Sequence, residues 1–206
     1  MKRRLNVLIL SLVPLMYLGA TDPQLKGAIA MNTAAAAPGT QSAEQARTQD
    51  HARDFDFLIG KKWKIHNKRL KDRLKGSNEW IEFEATSPRS RQILNGMGNE
   101  DEYHTDFWPN FVGMSFRFYS PSTQTWSIYW ADSRRGLNIL EPPVLGRFDG
   151  SRGVFEGNDV FEGKPIIVRY IWSRADTPSP RWEQAFSEDG GKTWETNWVM
   201  DFTRVE

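Results

Sequence analysis

The chain has 206 residues, a formal net charge of +1 and no cysteine. The length allows one ordinary domain plus a tail. The lack of cysteine excludes disulfides, zinc sites with thiolate ligands and cysteine nucleophiles. Four basic residues and one acidic residue lie within 1–30, so the remainder of the chain carries a net charge of −2. A nearly neutral domain gives no electrostatic argument for nucleic-acid binding, and we expect no nucleic-acid partner.

The first 30 residues have the pattern of a secretory signal peptide. Three basic residues lie within 1–4, a mainly apolar run covers 5–20, and small residues follow at 28–30. An uncleaved membrane anchor is the alternative, but the run is near the lower limit of about 17 residues for a membrane span. We therefore predict a signal peptide over 1–30. The mature protein is expected to be periplasmic or secreted, with no stable membrane span after cleavage.

A linker and then the folded domain follow. Residues 31–50 are small and polar and lack aromatic side chains, which is typical of a disordered linker. The domain is predicted to cover 51–206. At its start, residues 54–60 combine an Asp, a short apolar run and a terminal Gly. This pattern predicts a single helical turn that plugs one end of a sheet.

The rest of the domain alternates between apolar and polar residues in short segments. A period of two is typical of strands with one buried face, and turn residues separate the segments. The predicted strands cover residues 63–70, 78–86, 89–94, 100–107, 112–119, 125–131, 145–148, 153–156 and 165–173, followed by a hairpin over 181–204. Many short strands favour a sandwich or barrel, and a barrel removes exposed edges. We predict an all-β fold, a single antiparallel barrel of about 9–10 strands with the short N-terminal helical plug.

The final hairpin has the most regular pattern. Its two strongly apolar faces are predicted to be Trp182, Gln184 and Phe186 on the first strand, and Trp194, Thr196, Trp198, Met200 and Phe202 on the second. The glycines between them supply the backbone conformations that a hairpin turn needs. Residues 187–194 also fit the Asp-box of sialidases. Because the motif occurs once, we interpret it as a structural turn and reject a sialidase.

Three similar phrases, Phe-Asp-Gly or Phe-Glu-Gly, occur at 148–150, 155–157 and 161–163. Their spacing is uneven, so they do not form a true repeat. Each is interpreted as a turn between short strands.

Motifs for catalysis or metal binding are weak. His51, His66 and His104 lack the spacing of a zinc site, and no P-loop, dinucleotide fingerprint or Gly-x-Ser-x-Gly motif is present. The acidic residues around His104 make a metal ion conceivable, but charge-rich strand ends are usually solvated. Glu82 and Glu84 share a strand face, where surface ion pairs are the more frequent outcome. We therefore predict no metal and no cofactor, and we assign no catalytic residue.

Charged residues inside apolar strands are the stronger signal. They are Arg69, Arg117, Arg169 and Glu183. A buried charge is costly unless it is paired. One interpretation places some of these residues in a cavity, where they face a polar or anionic ligand. The alternative places them on the outer face of the barrel, since one face of each strand must be polar.

Ligand pockets are mostly apolar with a few placed polar groups. Trp130, Trp172 and Trp198 are centred in separate strands and are predicted to form the apolar wall of a ligand site. Arg117, Arg169 and Glu183 are predicted to orient the ligand, provided that they face inward. Arg169 and Trp172 are three positions apart, so a regular strand places them on opposite faces. Both line a cavity only if a β-bulge intervenes.

Asp54–Trp63, Gly96–Glu102 and Arg181–Arg204 together resemble the DUF1579 family of uncharacterised bacterial proteins. The resemblance covers residues 53–206 and implies a lipocalin-like (calycin) β-barrel, but it implies no catalytic residues. One departure is that two residues separate Gly60 from Trp63, where the family usually has one. In calycin barrels a first-strand Trp packs beneath a basic residue from the end of the last strand. The resemblance therefore implies a contact between Trp63 and Arg204.

These observations predict an exported barrel whose partner is a small apolar or amphipathic molecule. Two alternatives stay open. One is an enzyme, an isomerase, cyclase or hydrolase, that acts on a hydrophobic substrate in the same cavity. The other is a structural or interaction barrel with a packed interior. A cavity with converging polar groups would favour the first two functions. The ligand is not named by the sequence, and a homodimer is left open.

Overall fold

The computed structural model describes residues 51–134, 140 and 142–205. The predicted signal peptide (1–30) and linker (31–50) lie outside the described residues. The described part contains a short 3₁₀ helix, Leu94–Gly96. Its strands are β1 (Lys62–Leu70), β2 (Trp80–Ser87), β3 (Ser90–Ile93), β4 (Gly98–Thr105), β5 (Phe111–Ser120), β6 (Thr125–Asp132), β7 (Val144–Asp149), β8 (Arg152–Phe161), β9 (Lys164–Ser173), β10 (Arg181–Ser187) and β11 (Glu195–Val205).

The strands form one antiparallel sheet that closes on itself. From β4 to β11 each strand pairs with its neighbour in sequence, and β1 pairs with both β2 and β11. The sheet closes where Thr86 of β2 pairs with His104 of β4, while β3 pairs with β4 outside the closed part. Ten of the 11 strands therefore make the barrel. This confirms the predicted all-β antiparallel barrel.

Residues 52–60 form consecutive turns at one end of the barrel. The Leu58 N–H donates to the Phe55 carbonyl at 3.0 Å, a bond that spans three residues instead of the four of an α-helix. Phe55 and Leu58 are buried. The Phe55 ring contacts the rings of Trp126, Phe148, Phe155 and Trp172. The segment thus closes this end, which we call the plug end.

Strand β1 shows how the alternating pattern builds the wall. Its buried positions include Trp63, Ile65 and Asn67, and its lysines are exposed. On the outer face, Lys68 pairs with Glu82 of β2 at 2.8 Å. The period of two therefore separates a core face from a solvated, ion-paired face, as the sequence predicts.

The pattern fails at one point in the final hairpin. The register shifts between Gln184 and Ala185, so Gln184 faces Trp198 while Ala185 faces Thr196. Asn197 is the extra residue of this β-bulge, and it is fully buried. Gln184 Nε2 donates to Asn197 Oδ1 at 2.8 Å. The prediction that Thr196 shares the apolar face is wrong, because the bulge changes the alternation and Thr196 is exposed.

The turn of the same hairpin is held by side chains. The Asp189 carboxylate accepts from the hydroxyl of Thr193 at 2.6 Å and from the N–H groups of Lys192 and Thr193 at 2.9 Å. The Ser187 hydroxyl accepts from the Gly191 N–H at 2.8 Å. Gly190 and Gly191 have positive φ angles of 74° and 87°. The Asp-box motif is therefore part of a hydrogen-bonded turn, in agreement with the structural interpretation.

One predicted turn is wrong. Residues 155–157 lie inside β8, whereas 148–150 and 161–163 lie at strand ends. A Cβ atom on Gly157 would come within 2.9 Å of the Pro143 carbonyl oxygen. Glycine is needed there for close approach of two chain segments, and not for a turn.

The expected contact of Trp63 is only partly reproduced. The register places Arg204 directly opposite Trp63, and Trp63 is buried with 2% exposure. The cation over its indole ring, however, is the Nζ of Lys61, at 5.9 Å from the ring centroid. The additional residue between Gly60 and Trp63 makes two lysines, Lys61 and Lys62, precede Trp63.

Candidate functional site

The inner faces of the strands enclose a cavity of about 480 Å³. Ligand pockets commonly range from about 300 to 1,000 Å³. Leu58 and Trp63 line the cavity at the plug end. At the opposite end, which we call the mouth, it is lined by Arg69, Arg73, Trp108, Arg134 and Phe161. The barrel interior is therefore hollow.

The wall of the cavity is mainly aromatic. Its tryptophans are Trp63, Trp108, Trp130, Trp172, Trp182 and Trp198. Indole rings provide large apolar area at low conformational cost, and each also carries one N–H donor. A wall of this composition suits the apolar body of a small molecule.

Four of the six residues predicted to bind a ligand line this cavity. They are Arg117 of β5, Trp130 of β6, Trp172 of β9 and Trp198 of β11. Regular alternation brings these four side chains together from separate strands, although they are far apart in sequence. Their role in binding stays a prediction.

The other two predicted residues, Arg169 and Glu183, belong to the outer face. Arg169 Nε donates to Glu156 Oε1 at 2.6 Å, and its guanidinium carbon lies 3.6 Å from the ring centroid of Trp194. A Glu183 carboxylate oxygen lies 3.5 Å from Arg181 Nε. The register of β9 with β10 is continuous here, so no bulge turns Arg169 inward. Neither residue is placed to orient a molecule in the cavity.

Arg117 is part of a buried ion pair. Its Nη1 donates to Asn99 Oδ1 at 3.0 Å and to the Asp101 carboxylate, and its guanidinium carbon lies 5.0 Å from the Phe55 ring centroid. Burial raises the pKa of Asp101, and the charge of Arg117 opposes that shift. The positive charge of Arg117 is thus already balanced by Asp101 before any ligand is considered.

Asn67 links two groups of the wall. It is fully buried, and its Oδ1 accepts from the Tyr103 hydroxyl at 2.9 Å and from Trp198 Nε1 at 3.0 Å. Its Nδ2 donates to the Ile65 carbonyl at 3.1 Å. Burial raises the pKa of Tyr103, so its hydroxyl keeps its proton and acts as a donor. These bonds fix the orientation of Tyr103 and Trp198.

Gly113 makes room for Trp130. The two residues lie on adjacent strands, β5 and β6, and a Cβ atom on Gly113 would come within 2.3 Å of the Trp130 ring. Trp130 Nε1 also donates to Asp132 Oδ2 at 3.1 Å. The ring position in the cavity wall therefore depends on a glycine that the sequence analysis did not single out.

The mouth contains Arg69, which was considered for a cavity but not included in the predicted ligand site, and other residues that were not predicted at all. The Arg69 guanidinium carbon lies 6.0 Å from the Trp108 ring centroid and 5.7 Å from that of Trp198. The guanidinium of Arg134 lies over Trp108 at 5.8 Å. Arg73 lies over Phe161 at 4.4 Å. Arg69 had a usable signal, because it continues the inward series of alternate residues in β1, but Trp108 and Arg134 lie outside strands and had none.

The histidines lie among carboxylates without forming a metal cluster. His66 Nδ1 is 2.6 Å from a Glu84 oxygen, and His104 Nε2 is 3.0 Å from a Glu102 oxygen. Within the described residues, no group of three or more His, Asp or Glu side chains is arranged to hold a metal ion. These contacts are surface ion pairs when the imidazoles are protonated.

Comparison of the chain with models of protein families gives no match, and comparison with curated proteins gives no significant match. Among the residues that the structure describes, no helix has the length and apolar character needed to span a membrane.

Proposed function

We propose that this protein is an exported binding protein that holds a small apolar or amphipathic molecule inside its barrel. The observation that carries the proposal is the cavity of about 480 Å³ with its tryptophan-rich wall. Transfer of apolar surface from water to such a wall contributes about 25 cal/mol per Å². Export through the N-terminal signal and kinship with DUF1579 are parts of the same proposal, supported by the sequence patterns given above.

The hollow interior favours binding over a purely structural role. A structural barrel would fill its centre with side chains, as small barrels commonly do. Here the centre is open, and two polar groups of the wall are fixed by partners within the barrel, Asn67 by Tyr103 and Arg117 by Asp101. A rigid wall of this kind lowers the conformational cost of binding.

One observation bears on the enzyme alternative. Asp101 lines the cavity and its pKa is raised by burial, which is a common property of catalytic carboxyl groups. Its carboxylate, however, already accepts a hydrogen bond from Arg117. A structural ion pair explains this geometry without a reaction, so binding is the better supported function.

Filling the cavity tests the proposal. Ser115 of β5 lines the cavity beside Trp130, whereas Ser127 of β6 lies between the buried Trp126 and Ile128 and so points to the outer face. We expect the wild-type protein to bind the neutral dye Nile red, with quenching of tryptophan fluorescence. Ser115→Phe should abolish binding, because the new ring occupies the cavity.

The matched control is Ser127→Phe, which adds the same ring to the outer face and should keep wild-type affinity. Circular dichroism should show that both variants are folded. If wild type does not bind the dye, or if both phenylalanine variants bind it as wild type does, the cavity is not the binding site.

A further inference from the structure

Arg69 is the polar group whose surroundings are least explained by the barrel alone. Strand β1 turns Trp63, Ile65 and Asn67 inward, and Arg69 continues that series into the cavity. Near the mouth its guanidinium lies over the indole ring of Trp198 and over the indole ring of Trp108, a residue between β4 and β5. These rings fix the guanidinium within the apolar wall, where a cation–π contact contributes about 0.5–2 kcal/mol.

The side chain has no protein acceptor for its buried donor. Arg69 Nε is buried and has no hydrogen-bond partner, and no carboxylate of the described residues forms an ion pair with Arg69. Burial lowers the pKa of Arg69, with no carboxylate opposing the shift. Arg117 Nε also lacks a partner, but Asp101 and Asn99 accept from Nη1 of the same guanidinium, so the charge of Arg117 is paired. A buried donor without a partner is rare and costly in folded proteins.

The charge of the cavity lining also favours a ligand that accepts hydrogen bonds. Among the described residues that line it, the formal charges come from four arginines and three aspartates, Arg69, Arg73, Arg117, Arg134, Asp101, Asp132 and Asp159. This described part of the lining therefore has one positive charge in excess. Three buried nitrogen donors of this lining, on Trp63, Arg69 and Arg117, lack a hydrogen-bond partner in the described part of the chain. Such a lining is complementary to an acceptor that carries one negative charge.

We propose that the cavity takes a monoanionic amphipathic ligand, with its carboxylate held by Arg69 at the mouth and its apolar body along the tryptophan wall. The proposal rests on the proposed function of the cavity. The planar guanidinium donates in a fork that matches a carboxylate. One excess charge matches a carboxylate better than a phosphate dianion. Phosphate oxygens share the acceptor chemistry, so the test includes both.

Three ligands that share one alkyl chain but differ in the head group test the proposal on the wild-type protein alone. Isothermal titration calorimetry would measure the affinity of the wild-type protein for decanoate, decanol and decyl phosphate at neutral pH, where decanoate is ionised. We expect decanoate to bind about tenfold or more tightly than decanol, since a charge-assisted hydrogen bond exceeds a neutral one. Decyl phosphate should bind more weakly than decanoate.

Two substitutions locate the head group. Arg69→Met keeps the apolar stem and removes the charge, and it should lower decanoate affinity by about tenfold or more while leaving decanol affinity within about twofold. Arg69→Lys keeps the charge and should restore part of the difference. The matched control is Arg147→Met, on the exposed outer face of β7, which should bind decanoate as wild type does. Thermal unfolding would show that each variant is folded.

The outcomes separate this inference from the proposed function. Equal affinity for decanoate and decanol would overturn the assignment of Arg69 and leave the apolar cavity as a binding site. Tighter binding of decyl phosphate would overturn the choice of carboxylate. If neither decanoate nor decanol binds to the wild-type protein, both the inference and the proposed function fail. Should Arg69→Met not fold, the head-group series alone decides.

Discussion

Replacing Asn67 with leucine removes the acceptor that two groups of the cavity wall share. The Tyr103 hydroxyl and the Trp198 N–H would both lose their bond to Asn67 Oδ1. A buried donor left without a partner costs about 1–3 kcal/mol. Tyr103 is 3% exposed, so the loss of its bond carries the full free-energy cost. Trp198 is only partly buried, so water can replace part of its lost bond and the cost is smaller. Because leucine has a similar volume, little cavity cost is added, and the total is about 2–4 kcal/mol.

Thermal unfolding followed by circular dichroism measures this loss. For a domain of this size, about 2–4 kcal/mol corresponds to a decrease of roughly 5–15 °C in Tm. The comparison variant is Tyr103→Phe, which removes one of the two donors. In the Tyr103→Phe background, Asn67→Leu should cost at least about 0.5 kcal/mol less than in wild type. A loss below about 1 kcal/mol, or costs that add without coupling, would refute the role given to Asn67.

Three further predictions concern Trp63, Gly113 and Asp189. Trp63→Ala should cost about 3–5 kcal/mol in denaturant unfolding, because it empties a buried site. Gly113→Ala should displace the Trp130 ring, since the added Cβ would lie 2.3 Å from it, and should change the near-ultraviolet circular dichroism. Hydrogen bonds lower the pKa of Asp189 below its unfolded value of about 3.9, so its stabilisation is complete above that pH and is lost as pH falls through the folded pKa. Asp189→Asn should remove this part of the acid dependence of Tm.

Each of these predictions has a contradicting result. Trp80→Ala is the control for Trp63, since Trp80 is 39% exposed and its loss should cost less. Equal costs at the two sites would contradict the account of Trp63. An unchanged aromatic spectrum in Gly113→Ala would show that the Trp130 ring does not depend on the glycine. If wild type and Asp189→Asn lose stability in parallel below about pH 4, the hydrogen bonds to the carboxylate do not supply the acid dependence.

Much of the barrel follows from alternation in the sequence. Trp172 of β9 lines the cavity as its place in the alternating pattern suggests, whereas Arg169 of the same strand faces outward, because a regular strand fixes which side chains share a face. Gly157 shows where local patterns fail. It lies inside β8 with the Phe-Glu-Gly pattern of a turn, and only the proximity of Pro143 explains it. Contacts between distant segments of this kind are not encoded in a single strand.

The candidate site was less predictable than the barrel, because it depends on contacts between segments that are distant in sequence. The sequence alone could place Arg169 and Trp172 on opposite faces of the sheet, since residues three positions apart in a regular strand point to opposite sides. The orientation of Asn197 could not be predicted, because it depends on a register shift between two strands. Trp108 follows β4 outside any strand, so its contact with Arg69 arises only when the barrel closes.

Binding inside the barrel is tested most directly by nuclear magnetic resonance of the tryptophan indole N–H groups. Decanoate and decanol would each be titrated into ¹⁵N-labelled protein, with assignments from single Trp→Phe variants. The account predicts shifts at cavity tryptophans such as Trp172 and Trp198, with Trp80 and Trp194 unchanged because they do not line the cavity. Shifts confined to Trp80 and Trp194, or no shifts with either compound, would contradict a ligand site inside the barrel.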